Sequence, residues 1–215
     1  MNKKFYLALF GMVLVAGALF SYQFLRAKKI TIKKSKQPLI YNNLVNITLD
    51  DSDQIYGNPG APMTAIEFVD LSCSECLKIH SAIKKYAHDH PQSVRLVWKD
   101  APKFNFLFKK NELAHRAAYC AGKQGKFWEY LDAIIANKKM DPSSLNQIAN
   151  QVGIEFNSWT TCLDSDETVQ KLAASVALAQ SIGADSLPAL FINNRRINTD
   201  DGINIEELLK EFSEK

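Results

Sequence analysis

Apolar and polar positions in the first half of the chain follow two periods, one typical of strands and one of helices. Apolar runs at Leu44–Leu49, Ala65–Val69 and Val94–Trp98 predict three strands. A helical pattern between the last two runs begins at Cys73 and stops near His90-Pro91; its buried stripe, at spacings of three and four, consists of Cys76, Ile79, Ile83 and Tyr86. The order strand, helix, strand calls for a right-handed parallel crossover.

The second half is helical until close to its end. From about residue 107 to residue 183 no convincing strand occurs, which predicts a helical insertion with helices at Glu112–Ala121, Phe127–Ala136, Ser143–Val152, Asn157–Leu163 and Glu167–Ile182. Two short strands are then predicted at Ala189–Ile192 and Arg196–Asn198, on either side of Asn193-Asn194, a pattern typical of a hairpin. An amphipathic pattern at Ile203–Phe212 predicts a terminal helix, so the whole chain is expected to fold as an α/β protein.

The N-terminus has the pattern of an export segment. Lys3-Lys4 precede an uncharged, mostly apolar run from Phe5 to Leu25, and basic residues follow it. The run is about as long as a bilayer span, while Ala16-Gly17-Ala18 resembles a cleavage site; we favour a retained anchor. The chain is therefore divided into residues 1–25, a signal peptide or membrane anchor, residues 26–39, a basic linker, and residues 40–215, one domain with its helical insertion at about 107–183.

Composition narrows the classes of function. The 215 residues are 47% hydrophobic, enough for one domain with a proper core. The formal net charge is only +3, and Lys3 and Lys4 supply two of those charges, which argues against a nucleic-acid partner. Four cysteines remain as the candidates for chemistry, two of them in a C-x-x-C sequence.

Cys73-Ser74-Glu75-Cys76 lies where a predicted strand gives way to a predicted helix. A thiolate in the first turn of a helix meets unpaired N–H groups and the positive end of the helix dipole, which lowers the thiol pKa. Cys76 lies one turn further along the helix, so Cys73 is expected to be the attacking thiol and Cys76 the resolving thiol. The same spacing also forms half of many zinc sites, and this alternative stays open on the motif alone.

Several further motifs carry a resemblance to a known family. They are Gly57-Asn58-Pro59 with Ala61-Pro62, Glu67-Phe68 before the C-x-x-C sequence, Gln124-Gly125-Lys126-Phe127-Trp128, and the run from Leu187 to Asn193. From about residue 53 to the C-terminus the chain resembles the DsbA-like thiol-disulfide oxidoreductases. The resemblance implies a thioredoxin fold with an inserted helical domain, here preceded by the N-terminal hydrophobic segment.

The resemblance also implies roles for three residues outside the C-x-x-C sequence. Pro188 is expected to follow a cis peptide bond beside the cysteines and to present the backbone of Leu187 to an extended substrate, which would pair with it as an added strand. Glu67 matches a buried acid that assists proton transfer at the inner cysteine. An inward-facing acid on an apolar strand needs such a role or a partner, for which Lys99 is the candidate.

The chain departs from the family at Glu75, where the strongest oxidants of the family have a histidine. A carboxylate close to Cys73 disfavours the thiolate, so we expect a milder oxidant, and the direction of electron transfer stays open. His80, four residues after Cys76, is either a copper ligand or, as we favour, a partly exposed helix residue.

Cys120 and Cys162 fall on separate predicted helices of the insertion. In an oxidising compartment they are expected to form a structural disulfide that joins those helices. The alternatives are two buried free thiols or a zinc site that uses all four cysteines, although ligands so far apart on helices lack the usual zinc spacing.

These observations predict an exported enzyme that introduces disulfides into protein substrates. The alternatives are a disulfide isomerase or reductase that uses the same site in its reduced form and, in another class, a copper-binding thioredoxin-like chaperone. The expected partners are cysteine-containing proteins and a membrane redox partner, the latter implied by the resemblance alone; no cofactor, metal or nucleic acid is expected. We expect a membrane-tethered monomer in the bacterial periplasm or at the outer face of the cytoplasmic membrane.

Overall fold

A computed structural model describes residues 3–27, 40–103, 109–199 and 203–213. The chain divides into two compact units, Met1–Lys36 and Gln37–Lys215. The first unit contains helix α1, Lys3–Ala27. Among the described residues, no helix is long and apolar enough to span a membrane. Most of the expected linker and the expected start of the insertion at residue 107 lie outside the described residues.

The second unit is built on a mixed six-stranded sheet. Its strands are β1 Ile40–Leu44, β2 Gln54–Tyr56, β3 Met63–Val69, β4 Val94–Asp100, β5 Ala189–Ile192 and β6 Arg195–Ile197. They lie side by side in the order β1-β6-β5-β3-β4-β2. Only β3 and β4 are parallel; the other neighbours are antiparallel. The parallel pair confirms the predicted crossover, which runs through helix α2, Ser74–Asp89.

Alternate residues of β3 enter two different cores. Met63 and Ala65 pack with α2 and with helix α8, Ile205–Ser213, on one face of the sheet. Ile66 and Phe68 pack on the other face, in a core that also contains Ala179. Because a strand covered on both faces can expose neither set of side chains, β3 is apolar almost throughout. Glu67 has the parity of Ala65 and therefore lies on the α2 side of the sheet.

Five helices lie between β4 and β5 in the residues that the structure describes. They are α3 Lys109–Gly122, α4 Phe127–Asn137, α5 Pro142–Gln151, α6 Phe156–Leu163 and α7 Asp166–Ser181. Their own core includes Tyr130 and Trp159, whose polar atoms donate hydrogen bonds to the main-chain oxygens of Leu145 and Ala117 at 3.0 Å. This core extends to Cys76 and Trp98, so the helical block packs directly against the C-x-x-C turn.

Most predicted elements are confirmed to within three residues at each end, but the first strand is wrong. The structure has β1 at Ile40–Leu44 and no strand at residues 45–49. Val45, Ile47 and Leu49 pack against the sheet from one side, and this one-sided burial produces an alternation like that of a strand. The Val45 N–H donates a hydrogen bond to the main-chain oxygen of Asn194 at 2.9 Å, but among the described residues this contact does not continue as a strand pairing.

Candidate active site

Cys73 is the N-cap residue of α2. Its Sγ accepts a hydrogen bond from the N–H of Cys76 at 3.1 Å, and its main-chain oxygen accepts one from Leu77 at 3.1 Å. The two cysteine sulfurs are bonded as a disulfide, with Cα atoms 5.2 Å apart. Since the first turn of a helix leaves N–H groups unpaired, the reduced Sγ of Cys73 would sit where a thiolate is stabilised.

The two sulfurs differ in access to solvent. Cys73 is half-buried, whereas Cys76 is 1% exposed and belongs to the core of the helical block. Cys73 is therefore the more accessible of the two sulfurs to an external thiolate. The arrangement supports attack at Cys73 followed by resolution from Cys76.

Glu75, the residue that departs from the family pattern, points away from the core. Its Oε2 accepts a hydrogen bond from Lys78 Nζ at 2.9 Å, and both side chains are well exposed, at 46% and 72% respectively. Solvent and the lysine charge thus screen the carboxylate, which reduces its effect on Cys73.

The turn before Cys73 is fixed by Asp70, which sequence reasoning missed. This buried carboxylate accepts hydrogen bonds from the Ser72 N–H at 2.7 Å, from the Lys103 N–H at 2.9 Å and from the Asn111 side chain. Burial acts to raise the pKa of Asp70, but the hydrogen bonds from Lys103, Ser72 and Asn111 outweigh it, and the pKa is lowered. The main-chain oxygen of Asp70 also accepts a hydrogen bond from the N–H of Cys73 at 2.9 Å.

His115, on α3, holds the same turn from the helical block. Its Nε2 accepts the N–H of Leu71 at 3.1 Å, which requires the proton of the neutral ring to lie on Nδ1. That Nδ1 lies 2.6 Å from Asp100 Oδ1, which also accepts the indole N–H of Trp98 at 2.8 Å. The helical block therefore positions the residues that lead into Cys73.

Glu67 is buried and paired, but with a different partner from the one expected. Its Oε1 lies 2.5 Å from His80 Nδ1. Lys99 instead pairs with Asp53 at 2.5 Å, so the predicted Glu67–Lys99 contact is wrong. His80 is only 1% exposed, which also corrects the prediction of a partly exposed helix residue. Its ring lies parallel to that of Trp128, 6.2 Å away, and edge-on to that of Trp98 at 5.1 Å.

The peptide bond between Leu187 and Pro188 is cis. The Pro188 oxygen accepts a hydrogen bond from Thr199 Oγ1 at 2.8 Å, which anchors the segment just before β5. Leu187 is half-buried and packs against the same core as Cys73. The structure thus places Leu187 and both cysteines against one continuous apolar cluster.

The other two cysteines join helices of the insertion. Cys120 on α3 and Cys162 on α6 are bonded as a disulfide, with Cα atoms 5.8 Å apart, and Thr168 Oγ1 contacts both sulfurs. All four cysteine sulfurs are therefore engaged in two separate disulfides. Within the part of the chain that the structure describes, no group of three or more histidine, cysteine or acidic side chains is arranged to hold a metal ion.

A family model described as thioredoxin matches residues 50–211, which include the C-x-x-C turn, the helical block and the cis-proline segment. The chain belongs to this thioredoxin family. It has the thioredoxin-like α/β fold that its sequence predicts, and the resemblance to DsbA-like thiol-disulfide oxidoreductases is confirmed.

Solved structures with this fold come from several bacteria. A thioredoxin-like oxidoreductase from Silicibacter pomeroyi is 25% identical, with a TM-score of 0.65 over 75% of this chain and 90% of that chain. The thiol-disulfide exchange protein α-DsbA2 from Wolbachia pipientis is 20% identical, with a TM-score of 0.65 over 77% and 87%. Oxidised BdbD from Bacillus subtilis is 20% identical, with a TM-score of 0.63 over 76% and 94%.

Curated relatives are much longer than this chain. The Na(+)/H(+) antiporter NhaA 3 from Salinispora tropica is 28% identical over 147 residues, which is 68% of this chain and 22% of the antiporter. The NhaA antiporter of Herminiimonas arsenicoxydans is 25% identical over 146 residues, 67% and 23% of the two lengths. The similarity therefore concerns a domain-sized part of those proteins.

Three site residues that sequence reasoning missed or misjudged share one property: each is a polar side chain that the fold buries. They are Asp70, His80 and His115. The sequence carried a signal for His80, because it lies one turn after Cys76 on the buried stripe of α2. Asp70 and His115 had no comparable signal, since their partners come from distant parts of the chain.

Proposed function

We propose that the protein is an exported thiol-disulfide oxidoreductase that introduces disulfides into protein substrates through Cys73 and Cys76. The observation that carries this proposal is the bonded pair itself, with an accessible sulfur at a helix N-terminus and a buried sulfur behind it. No cofactor is needed, because the exchange moves electrons only between sulfur atoms.

In the oxidising direction, a substrate thiolate attacks Cys73 Sγ and forms a mixed disulfide. The Cys73–Cys76 bond breaks, and its electron pair leaves on Cys76, which takes up a proton through Glu67. A second substrate thiolate then attacks the substrate sulfur, the substrate disulfide forms, and Cys73 leaves as a thiolate. The enzyme is now reduced by two electrons, and a membrane redox partner, inferred from family resemblance, would reoxidise it.

Substrate binding is proposed at the segment that ends in Pro188. A substrate strand would add beside Leu187, the residue before the cis bond, and so bring its cysteine to Cys73. Such backbone pairing tolerates many substrate sequences, as an enzyme acting on diverse proteins requires.

The bacterial periplasm is the proposed location, with residues 1–25 as a signal peptide or an anchor. Two observations support export. The disulfide between Cys120 and Cys162 requires an oxidising compartment to persist. Large apolar side chains of α1, such as Phe10 and Phe20, are exposed to 66% and 74%, which suits a segment that meets a secretion or membrane environment. A tether at the outer face of the cytoplasmic membrane and a monomeric state belong to the same proposal.

A second candidate function uses the same site in its reduced form. Glu75, inside the C-x-x-C sequence, stabilises the reduced Cys73 thiolate less than a histidine would. The enzyme is then a weaker oxidant, which favours isomerase or reductase activity. Equilibration with glutathione buffers separates the two functions. A reduction potential near about −120 mV favours an oxidase, and one near about −200 mV or below favours isomerisation or reduction.

Replacement of the cysteines tests the shared chemistry. In the full chain held in mild detergent, Cys73→Ser should abolish catalysed oxidation of a reduced protein substrate and catalysed reduction of insulin. Cys76→Ser should trap the mixed disulfide, visible as a covalent enzyme–substrate adduct that a reductant removes. Ser74→Ala is the matched control at the neighbouring position and should keep activity. Full activity of Cys73→Ser would refute the proposal.

A further inference from the structure

The buried pair of Glu67 and His80 is only half satisfied. Glu67 Oε1 and His80 Nδ1 lie 2.5 Å apart. The other two polar atoms, Glu67 Oε2 and His80 Nε2, have no hydrogen-bond partner among the described residues. Buried polar atoms without partners reduce stability, so a pair that keeps two of them is a candidate for a role in chemistry.

The pair is connected to the resolving cysteine through helix α2, which carries both Cys76 and His80. His80 follows Cys76 by four residues, which is one helical turn, and both side chains are 1% exposed on the same face of α2. Glu67 lies on β3 on the side of the sheet that α2 covers. Helix α2 therefore carries both the resolving cysteine and the histidine that contacts the Glu67 carboxylate.

Glu67 is the ionisable group that pairs with His80, and the other ionisable groups near the ring have different partners. The His80 ring lies edge-on to the ring of Trp98 from β4 and parallel to that of Trp128 from α4. His80 also forms part of the wall of a surface cavity of about 410 Å³, whose ionisable groups are Tyr56 from β2, Lys84, Lys85 and His88 from α2, and Asp132 from α4. Those groups pair mainly with others: Lys84 with Asp132 at 2.5 Å, Lys85 with Asp89 at 2.8 Å, and the Tyr56 hydroxyl with His88 at 3.4 Å.

We propose that His80 is a positioning residue for proton transfer at Cys76. The proposal rests on the thiol-disulfide exchange function given above. The Nδ1–H of His80 donates to Glu67 Oε1 and so fixes the plane of the carboxylate. Oε2 is thereby left without a partner and accepts the thiol proton of Cys76.

Resolution of the mixed disulfide by Cys76 needs no outside oxidant. In a mixed disulfide between Cys73 and a substrate, the Cys76 thiol gives its proton to Glu67 Oε2. The Cys76 thiolate attacks Cys73 Sγ, the Cys73–Cys76 bond forms, and the bond from Cys73 to the substrate breaks. The electron pair of that bond leaves on the substrate sulfur as a thiolate. In the oxidising direction the same transfers run in reverse, and Glu67 returns the proton to Cys76.

Stopped-flow mixing of the reduced full chain with a chromogenic aromatic disulfide separates the two cysteines. The first coloured thiolate appears in a bimolecular phase, when Cys73 attacks, and the second in a first-order phase, when Cys76 resolves the mixed disulfide. Cys73→Ser should remove both phases; a protein in which it does not would lack the proposed function, whatever His80 does. The His80 proposal concerns the second phase alone, measured as a function of pH.

His80→Gln should slow the second phase at neutral pH by about 100-fold, the low end of what a positioned base contributes, and move its midpoint to higher pH. Glu67→Gln should do the same, and the double variant should be no slower than Glu67→Gln. His80→Asn keeps a donor at the Nδ1 position and should stay close to wild type. His90→Gln, at the exposed end of the same helix, is the matched control.

Two results would overturn the proposal. One is a folded His80→Gln variant whose second phase keeps the wild-type rate and midpoint. The other is a His80→Asn variant that is as slow as Glu67→Gln, because the donor at Nδ1 would then be irrelevant. If His80→Gln does not fold, His80→Ala, which also lacks the Nδ1 donor, takes its place under the same criterion. A purely structural role would lower stability in every His80 variant without moving the midpoint of the second phase.

Discussion

At the scale of single residues, Glu75 has the most direct influence on the reactivity of Cys73. Its carboxylate opposes the thiolate, while Lys78 at 2.9 Å and the solvent around both side chains screen it. The two effects have opposite signs, so the net influence on Cys73 is expected to be small. This makes Glu75 a residue that tunes the reduction potential rather than one that decides whether exchange occurs.

Glu75→Gln should therefore favour the Cys73 thiolate modestly. We expect the pH midpoint of Cys73 alkylation in the reduced protein to fall by a few tenths of a unit, the size of an exposed charge interaction. The pH dependence of the iodoacetamide reaction, with Cys76 replaced by serine, measures it. Lys78→Gln is the control, because it removes a positive charge instead of a negative one and should therefore raise the midpoint. A rise in Glu75→Gln would contradict the view that the carboxylate opposes the thiolate, and a fall of more than about one unit would contradict the screening argument.

The residues predicted from sequence and the residues missed differ in the range of their interactions. Cys73 and Cys76 were predictable because four consecutive residues at a strand–helix junction define the motif. The partner of Glu67 was not, because it depends on the register of β3 and β4, which pairs Lys99 with Phe68 and so puts Lys99 on the face of the sheet opposite to Glu67. Lys99 was plausible by charge, but Asp53 from the segment before β2 takes it at 2.5 Å.

At the scale of elements, α3 links the helical block to both sulfur pairs. Its His115 holds the Leu71 N–H before Cys73, and its Cys120 is bonded to Cys162 on α6. A helix of eight residues such as α6 is too short to be stable by itself, so its position depends on packing and on this bond. The disulfide is accordingly expected to support the block without taking part in exchange.

Replacement of Cys120 and Cys162 by alanine should lower the free energy of unfolding by about 4 kcal/mol, the loop-closure value for cysteines 42 positions apart. Urea unfolding followed by far-ultraviolet circular dichroism measures the loss. The control is Cys73→Ser/Cys76→Ser, which removes the disulfide between cysteines only 3 positions apart. This change should lower the free energy of unfolding far less. Exchange through Cys73 should persist in the folded double alanine variant. An unchanged unfolding midpoint would show that packing alone holds α6.

The element boundaries show which local signals were reliable. Helices α4 to α7 were predicted closely because each combines an apolar stripe with a clear stop, and Asp141, Glu155 and Ser165 cap the starts of three of them. The first strand was wrong because Val45, Ile47 and Leu49 alternate for another reason: one side faces the sheet and the other faces solvent. Alternation reports one-sided burial, which a strand and an extended segment share.

At the scale of the whole molecule, the order of elements carried enough information to predict the fold but not how its cores meet. Strand, helix and strand before a helical block, with a hairpin after it, predicted the thioredoxin arrangement. The contact of the block with the active-site turn depends on Leu71, Cys76 and Trp98 sharing one core with α3 and α4. No local pattern encodes that contact, because it joins residues far apart in the chain.

The contact between the helical block and the active-site turn should make the stability of the whole molecule sensitive to acid. Asp70 fixes the turn at the junction, accepting hydrogen bonds from Ser72, Lys103 and Asn111, and its pKa is lowered in the folded state. A carboxylate whose pKa is lower folded than unfolded stabilises the fold fully above its unfolded value, near about 4, and loses that contribution as pH falls through the folded value.

The free energy of unfolding should therefore be steady near neutral pH and fall as the pH drops below about 4. Asp70→Asn should be less stable at neutral pH by about 2 kcal/mol. The amide NH2 group would replace an acceptor oxygen of Asp70 and would face the hydrogen-bond donors that this oxygen binds. The two proteins should then converge in acid, where Asp70 is protonated as well. Urea unfolding across a pH series measures both curves, with Asp185→Asn, a change at an exposed aspartate, as the control. A stability difference that stays constant into acid would mean that the shape of Asp70, and not its charge, holds the turn.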